Sequence, residues 1–189
     1  MKKRTLIILG AVVAVLVIII ALFAGTYNRM VSLQTAVESK QATIQTQLQR
    51  RADLIPNFVA SVKGYTEYEQ STLQAVTEAR AKVGAASDAT EQAAANDQLN
   101  GAIDVWVNAV TEAYPELKAS AQFIALQDEL AGTENRISTA RIDYNNAVQT
   151  YNASIRKFPG NLFAGLYGFE AMPFFEASEG SEQVPTVSF

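Results

Sequence analysis

The sequence contains no cysteine and no histidine among its 189 residues. The lack of cysteine excludes disulfide bonds, thiolate metal sites and cysteine nucleophiles. The lack of histidine removes the commonest general base at neutral pH and the commonest ligand of transition metals. We therefore predict a protein that is not an enzyme, with no cofactor and no catalytic or metal-binding residue.

Basic residues are also scarce. The chain has 15 Lys and Arg against 19 Asp and Glu, a net charge of -4, and its basic residues are scattered. Proteins that bind nucleic acid attract its phosphates with clustered Lys and Arg. We therefore exclude nucleic acid as a partner.

A long apolar run stands at the start of the chain. Residues Leu6 to Ala24 include no charged side chain and follow a basic tail, residues 1–5. A bilayer core of about 30 Å requires roughly 20 apolar helical residues. The pattern predicts a single transmembrane helix over residues 6–25, with membrane lipid as its partner. The side chains expected to anchor it are Leu6, Ile7, Ile8, Leu16, Ile20 and Phe23.

The alternative interpretation of this run is a cleaved secretory signal. The run exceeds the roughly 7 to 15 residues of a signal core, and bulky Leu22 and Phe23 occupy the positions that small residues would need before a cut. We predict an uncleaved anchor. Three basic residues precede the run and only Arg29 and Lys40 follow closely, which favours a cytoplasmic N-terminus and an extracytoplasmic bulk.

Beyond the run, apolar residues recur at steps of three and four, which is typical of amphipathic helices. We predict an all-α fold in which residues 26–158 form an elongated antiparallel four-helix bundle. The four apolar stripes run from Met30 to Leu48, from Phe58 to Val83, from Leu99 to Val110 and from Phe123 to Phe158.

The breaks between the helices are predicted from proline and from small residues. Pro56 predicts a kink or a new helix start, and Pro115 closes or bends the third helix. Residues 85–97 are small and polar, which indicates a loop or a weakly anchored helix start.

The last part of the chain, residues 159–189, follows neither a helical period nor the composition of a solvated tail. We predict a short irregular or extended segment, with a linker at 178–182 and an extended end at 183–189. Its aromatic residues are candidates for interaction: Phe163, Tyr167, Phe169, Phe174 and Phe175. They serve either self-association or a cap on the bundle.

A polar joint contains Arg50, Arg51 and Asp53, also candidates for interaction. In the simpler interpretation, Asp53 caps the helix after Pro56 and pairs with Arg50. In the alternative, the two arginines hold an acidic partner or a lipid head group.

A second polar group is spread over several predicted helices and includes Glu78, Arg80, Glu134 and Arg141. Carboxylates in a bundle can hold two metal ions, but such sites usually include Glu-x-x-His pairs. Interhelical ion pairs are the favoured interpretation, and a carboxylate-metal enzyme is the weaker one. The repeated pairs Tyr144-Asn145 and Tyr151-Asn152 are attributed to packing.

Several stretches together resemble the LemA family. They are Tyr27-Asn28, Leu48 to Asn57, Val62 to Tyr65, Glu112 to Ala119, Glu134 to Arg141 with both Tyr-Asn pairs, Phe158-Pro159 and Val187 to Phe189. The chain departs from the family pattern at Phe58 and Ser120. The resemblance implies a bacterial protein anchored in the membrane, with a helical bundle, no established enzymatic activity and no catalytic residues to carry over.

The family also bears on topology and function. Family descriptions place the short N-terminus outside, against the charge argument, and one branch occurs in magnetosome membranes. We therefore expect a scaffold of the bacterial inner membrane that associates with itself and organises envelope components. The alternative is a regulatory partner of another membrane protein, such as a protease or a sensor.

Overall fold

The computed structural model describes residues 2–62 and 70–175, which are almost entirely helical. Its helices are α1 (Lys2–Val62), α2 (Gln70–Ala85), α3 (Ala89–Ala113), a short 3-10 helix (Pro115–Ala119), α4 (Ala121–Arg156) and α5 (Gly160–Tyr167). These residues include no β-strand, so the all-α prediction is confirmed. The chain divides into two units: unit 1 comprises Met1–Ser39 and Asn146–Met172, and unit 2 comprises Lys40–Asn145 and Pro173–Phe189.

The first part of α1 contains the apolar run. Within the described residues, α1 alone is long and apolar enough to cross a membrane, and the most apolar window of the helix has no side chain buried against protein. The predicted anchor residues Leu6, Ile7, Ile8, Leu16 and Ile20 are all exposed, whereas Phe23 is half-buried. The structure thus leaves this surface without protein neighbours, as a membrane-spanning helix requires.

In unit 2, segments of α1, α2, α3 and α4 pack together. Contacts between α1 and α4 join Lys40 to Asp143, Arg50 to Glu129 and Phe58 to Phe123, so these helices run in opposite directions. Lys82 of α2 contacts Gln98 of α3, and Arg141 of α4 contacts Asp97 of α3. Phe58 also contacts both Trp106 of α3 and Phe123 of α4, so α3 and α4 run in opposite directions too, which confirms the predicted bundle topology.

The core of unit 2 consists of the apolar stripes identified in the sequence. The ring of Phe58 lies 5.1 Å from that of Phe123 in a stacked arrangement, and 5.1 Å from that of Trp106 at an edge. Offset and edge-to-face aromatic pairs each contribute about 0.5–1.5 kcal/mol beyond the burial of their area. Further residues buried in this core are Ile44, Leu48, Ile55, Val76, Leu99, Ile103, Val110, Leu130, Ile137 and Tyr144.

Pro56 does not start a new helix. Helix α1 continues through it to Val62, so the predicted new helix start is wrong, whereas the alternative of a kink stays a prediction. Residues 58–62 belong to α1 rather than to the second predicted helix. A proline lacks the N–H that would donate to the carbonyl four residues earlier, here that of Ala52. Arg80 of α2 donates its Nε–H to this carbonyl oxygen at 2.8 Å, which replaces the missing intrahelical bond.

Residues 85–97 contain the start of helix α3, which confirms the second of the two interpretations of this stretch, and the loop interpretation is wrong from Ala89 onward. Asp88 is the N-cap of α3 and accepts a hydrogen bond from the backbone N–H of Glu91 at 2.8 Å. Glu91 in turn accepts from the N–H and the hydroxyl of Ser87, and these bonds lower the pKa of its carboxyl group. This reciprocal capping starts the helix at Ala89, and Ala93 and Ala95 are buried inside it.

The C-terminal segment contains a helix that was not expected. Helix α5 ends at Gly168, which has a φ of 72° and donates its N–H to the carbonyl of Ala164. This left-handed conformation suits glycine and ends many helices. The prediction of an irregular segment is therefore wrong for residues 160–167. The predicted linker at 178–182 and the predicted extended end at 183–189 lie outside the described residues.

Candidate functional site

Arg51 lies inside the bundle of unit 2 and not on its surface, where a residue that binds a partner would be needed. The residue is 5% exposed, pairs with Glu134 of α4 and donates from Nη1 to Asn96 Oδ1 of α3 at 3.4 Å. Burial lowers the pKa of the Arg51 guanidinium, and Glu134 opposes this effect. Arginine remains protonated in proteins even when it is buried, so Arg51 is a buried positive charge that α3 and α4 hold in place.

Two buried amides of α3 extend this polar layer. Gln92 and Asn96 are essentially inaccessible to solvent and lie four residues apart, on one face of the helix. Within the described part of the chain, neither amide atom of Gln92 has a hydrogen-bond partner, and neither does Nε of Arg51. Sequence reasoning missed this layer, although both amides continue the stripe of Leu99, Ile103, Trp106 and Val110 toward the N-terminus.

Arg50 and Asp53 do not form the ion pair that was predicted from the sequence. Arg50 contacts Glu129 of α4 at 3.1 Å, whereas Asp53 accepts from Gln49 at 2.8 Å and lies 4.0 Å from Arg80. Because α1 is continuous, no helix N-terminus exists for Asp53 to cap. Both side chains are more than half exposed, so they remain accessible on one face of α1.

Arg80, Glu134 and Arg141 of the second polar group form ion pairs between helices, which is the favoured interpretation, whereas Glu78 accepts from Gln74 of its own helix. Glu134 pairs with Arg51, and Arg141 lies 3.6 Å from Asp97 of α3. Among the residues that the structure describes, no three His, Cys, Asp or Glu side chains are grouped so that they could hold a metal ion.

The asparagines of the two Tyr-Asn pairs hold the segment after α5. In unit 1, Asn152 accepts from the Met172 N–H at 2.9 Å and donates to its carbonyl at 2.8 Å. In unit 2, Asn145 accepts from the Phe175 N–H at 2.8 Å and donates to its carbonyl at 3.0 Å. Each amide thus pairs with a backbone residue as a neighbouring strand would, a role that packing alone did not predict.

In unit 2, further contacts bury Phe175. Its ring lies 6.2 Å from that of Tyr144, and the Arg141 guanidinium lies 4.7 Å from its centroid. Tyr144 donates its hydroxyl to the Pro173 carbonyl at 3.0 Å, and burial raises the pKa of this hydroxyl, which keeps its proton available. Phe174, by contrast, is 44% exposed.

The other candidate aromatic residues form a cluster in unit 1. The ring of Phe163 lies 4.1 Å from that of Phe23, while Tyr27 lies 4.9 Å from Tyr167 and 5.9 Å from Phe169. Phe163 is buried by this contact, and Tyr167 is partly exposed. The candidate aromatic residues therefore divide into buried ones, Phe163 and Phe175, which pack on other helices, and exposed ones, Tyr167 and Phe174, which can meet a partner.

Unit 1 also contains a cleft of about 370 Å³ beside the end of the apolar run. Leu22 and Gly25 line it from α1, together with Arg29, and Lys157 and Pro159 line it from the turn after α4. Gly160 also lines the cleft, and a Cβ atom at this position would lie 2.1 Å from the Ser154 carbonyl oxygen and 2.8 Å from Met30 Cε. The basic residues of this cleft are far apart in the sequence, which concealed the site.

Comparisons with known proteins agree with these features. The profile of the LemA family matches residues 40–189. Magnetosome protein MamQ 2 of Paramagnetospirillum magneticum is 28% identical, over 83% of this chain and 67% of its own length. Protein LemA of Metamycoplasma hominis is 26% identical, over 83% of this chain and 72% of its own length. The bundle, the apolar helix at its start and the matched residues lead to one conclusion: the chain belongs to the LemA family.

Proposed function

We propose that this membrane-associated helical protein is a scaffold of the bacterial inner membrane. It crosses the membrane once, holds its bulk outside the cytoplasm, associates with itself and organises membrane or envelope components without catalysing a reaction. The relatives that are named as magnetosome proteins support a role tied to an organised membrane.

The observation that carries the proposal is the continuity of α1. The same 61-residue helix contains the apolar run and supplies one of the four helices of the bundle. Because residues 2–62 belong to one helix, whatever binds the bundle is held at the membrane. This arrangement suits a scaffold, whose task is to keep partners at one surface.

Exposed apolar side chains of unit 2 support self-association. Ile142 of α4 is 60% exposed and lies one helical turn before Asn145, which holds the backbone of Phe175. The neighbouring Phe174 also points into solvent. Large apolar side chains that remain in water favour contact with another surface, here a second copy of the chain.

Light scattering coupled to size exclusion of the full chain in detergent tests self-association. We expect a wild-type mass above that of one chain, and a monomer for the double variant Ile142→Ser with Phe174→Ser. Val105→Ser is the matched control, because Val105 of α3 is as exposed as Ile142. A wild-type monomer in detergent, together with no crosslinked dimer in intact cells, would overturn self-association.

The absence of native cysteine allows a direct test of topology. A single cysteine introduced at the exposed Glu112 should react with a membrane-impermeant maleimide in spheroplasts. Protection of this cysteine until the membrane is lysed would place the bundle in the cytoplasm and contradict the proposed side.

The face of Arg50 and Asp53 favours a second candidate function, that of an accessory partner of another membrane protein. A photocrosslinking residue at Gln49, which borders this face, should capture one membrane protein reproducibly. The captured protein should be lost on Arg50→Ala but retained on Arg156→Ala, a change of an exposed arginine in unit 1. Equal capture in both variants would remove this candidate.

A further inference from the structure

An apolar stripe on α5 and the turn before it has no partner within the described residues. Phe158, Leu162 and Leu166 are 80%, 62% and 68% exposed and follow one another at intervals of four residues. The opposite side of α5 is buried through Phe163 and Ala164. Helix α5 also carries no charged side chain. An exposed stripe of this kind, on a helix without charge, indicates an apolar environment.

The contacts of α5 place it beside the end of the apolar run. Phe163 packs on Phe23, one residue before the run ends at Ala24, and Tyr167 packs on Tyr27 in the next turn of α1. When the run spans a bilayer, this level is the boundary between acyl chains and head groups, where aromatic side chains are enriched. The exposed stripe therefore continues the lipid-facing surface of α1.

Charge in the adjacent cleft matches the same boundary. Arg29 and Lys157 line it from two different elements, and its lining residues include no Asp or Glu among those that the structure describes. Leu22 and Gly25 form its apolar side. Two cations above an apolar wall complement a phosphate with attached acyl chains, and clusters of basic residues at a membrane surface attract anionic lipids.

We infer that α5 lies in the membrane interface with its apolar stripe among the acyl chains, and that the adjacent cleft holds the phosphate of an anionic phospholipid. The occupant is a lipid and not a second copy of the chain, because the stripe adjoins the membrane-facing run and the cations flank it on the aqueous side. The inference goes beyond the scaffold function and does not depend on self-association.

Spin labels test the position of α5. Single cysteines at Leu162 and Thr35 are labelled in the otherwise cysteine-free full chain, which is reconstituted in nanodiscs. Thr35 is exposed on α1 roughly 15 Å beyond the end of the run, at about 1.5 Å per residue. We expect the label at 162 to collide mainly with dissolved oxygen and the label at 35 mainly with an aqueous nickel complex.

Two results would overturn this placement. Equal access of the nickel complex to labels at 162 and 35 would leave α5 in water. Dipolar broadening between labels at 162, with low access of both reagents, would assign the stripe to a second copy.

Thermal unfolding of the full chain in detergent tests the head-group site. Phosphatidylglycerol should stabilise the protein more than phosphatidylcholine with the same acyl chains. The ratio of the apparent affinities for the two lipids should fall about fivefold for each of Arg29→Gln and Lys157→Gln, because one cation at a membrane surface contributes roughly 1 kcal/mol. Arg156→Gln is the matched control, because Arg156 is exposed beside Lys157 but does not line the cleft.

Four different results would each overturn the head-group site or its assignment to a lipid. Equal stabilisation by the two lipids, or a preference that survives the double variant, would remove the head-group site. An equal loss of lipid preference in Arg156→Gln would show that general surface charge causes the effect, and it would also remove the head-group site. Full stabilisation by glycerol phosphate without acyl chains would indicate a site for free phosphate and overturn the lipid assignment.

Discussion

Arg80 of α2 donates to the carbonyl oxygen of Ala52 in α1, the carbonyl that Pro56 leaves without an intrahelical donor. A proline inside a helix removes one backbone hydrogen bond and typically costs about 3 kcal/mol. Here a guanidinium from a neighbouring helix supplies the missing donor, so α1 remains helical to Val62. The bond also ties α2 to α1, which makes the proline a point of contact between helices.

A double-mutant cycle measures this compensation. Arg80→Ala should destabilise unit 2 by about 1 to 2 kcal/mol, because the Ala52 carbonyl loses its donor. In a Pro56→Ala background the backbone N–H of residue 56 takes over, and Arg80→Ala should cost markedly less. Urea unfolding of the four proteins gives the coupling energy. Strictly additive effects would show that Arg80 does not serve this carbonyl. Lys82→Ala, which removes only an exposed hydrogen bond from α2 to Gln98, is the control.

The buried Arg51 leads to a second prediction. Glu134→Gln should destabilise the bundle by about 2 to 4 kcal/mol, because it leaves a guanidinium inside the protein without its counter-charge. Replacing Arg51 with Met in the same chain should recover most of the loss. Glu129→Gln makes the corresponding change at the exposed pair of Arg50 and Glu129, and it should alter stability by less than about 1 kcal/mol. Equal costs at the two pairs, measured by thermal unfolding, would contradict the buried placement of Arg51.

Two glycines of α5 provide a matched comparison. Gly160→Ala would place a methyl group against the backbone of Ser154, so we expect α5 to detach from α1 and α4, with faster proteolysis around residues 160–168. Gly165→Ala meets nothing within 4 Å and should stabilise the helix by about 0.5–1 kcal/mol. Equal protease resistance of the two variants would contradict the close approach at Gly160.

The amide of Asn152 should control local hydrogen exchange. Asn152→Ala removes the acceptor of the Met172 N–H and the donor to its carbonyl, which costs about 1–3 kcal/mol locally. Exchange at Met172 should therefore accelerate by roughly 5- to 150-fold, while the core of α4 keeps its protection. Asn146→Ala, at an exposed position of the same helix, is the control. Unchanged exchange at Met172 in Asn152→Ala would show that the segment is held elsewhere.

The sequence predicted the elements whose stripes consist of large apolar residues, such as Phe58 and Leu99. It failed where small residues or glycines conceal a helix. Ala93 and Ala95 are buried although their composition resembles a loop, and the glycines at 160, 165 and 168 interrupt the pattern of α5. Arg51 was a candidate for binding a partner, and its burial could not be foreseen because it depends on helices that follow much later in the chain.

The candidate sites depended still more on tertiary contacts. Phe23 was predicted to anchor the membrane helix, and Phe163 and Tyr167 were predicted to interact, but no local pattern could show that Phe163 meets Phe23 or that Tyr167 meets Tyr27. The same holds for Arg29 and Lys157, which are separated by most of the chain. The repeated Tyr-Asn pairs were visible in the sequence, yet only the path of the segment after α5 reveals what the asparagines bind.

The spacing of those asparagines has a geometric consequence. Seven residues of helix, from Asn145 to Asn152, advance about 10.5 Å, and the three residues from Met172 to Phe175 cover roughly 10 Å when extended. The helical rise between the two asparagines therefore matches the length of extended chain between the two backbone residues that they hold. Inserting a single residue between Met172 and Phe175 would bring one amide out of step with its backbone group, so the length of this stretch is as constrained as its composition.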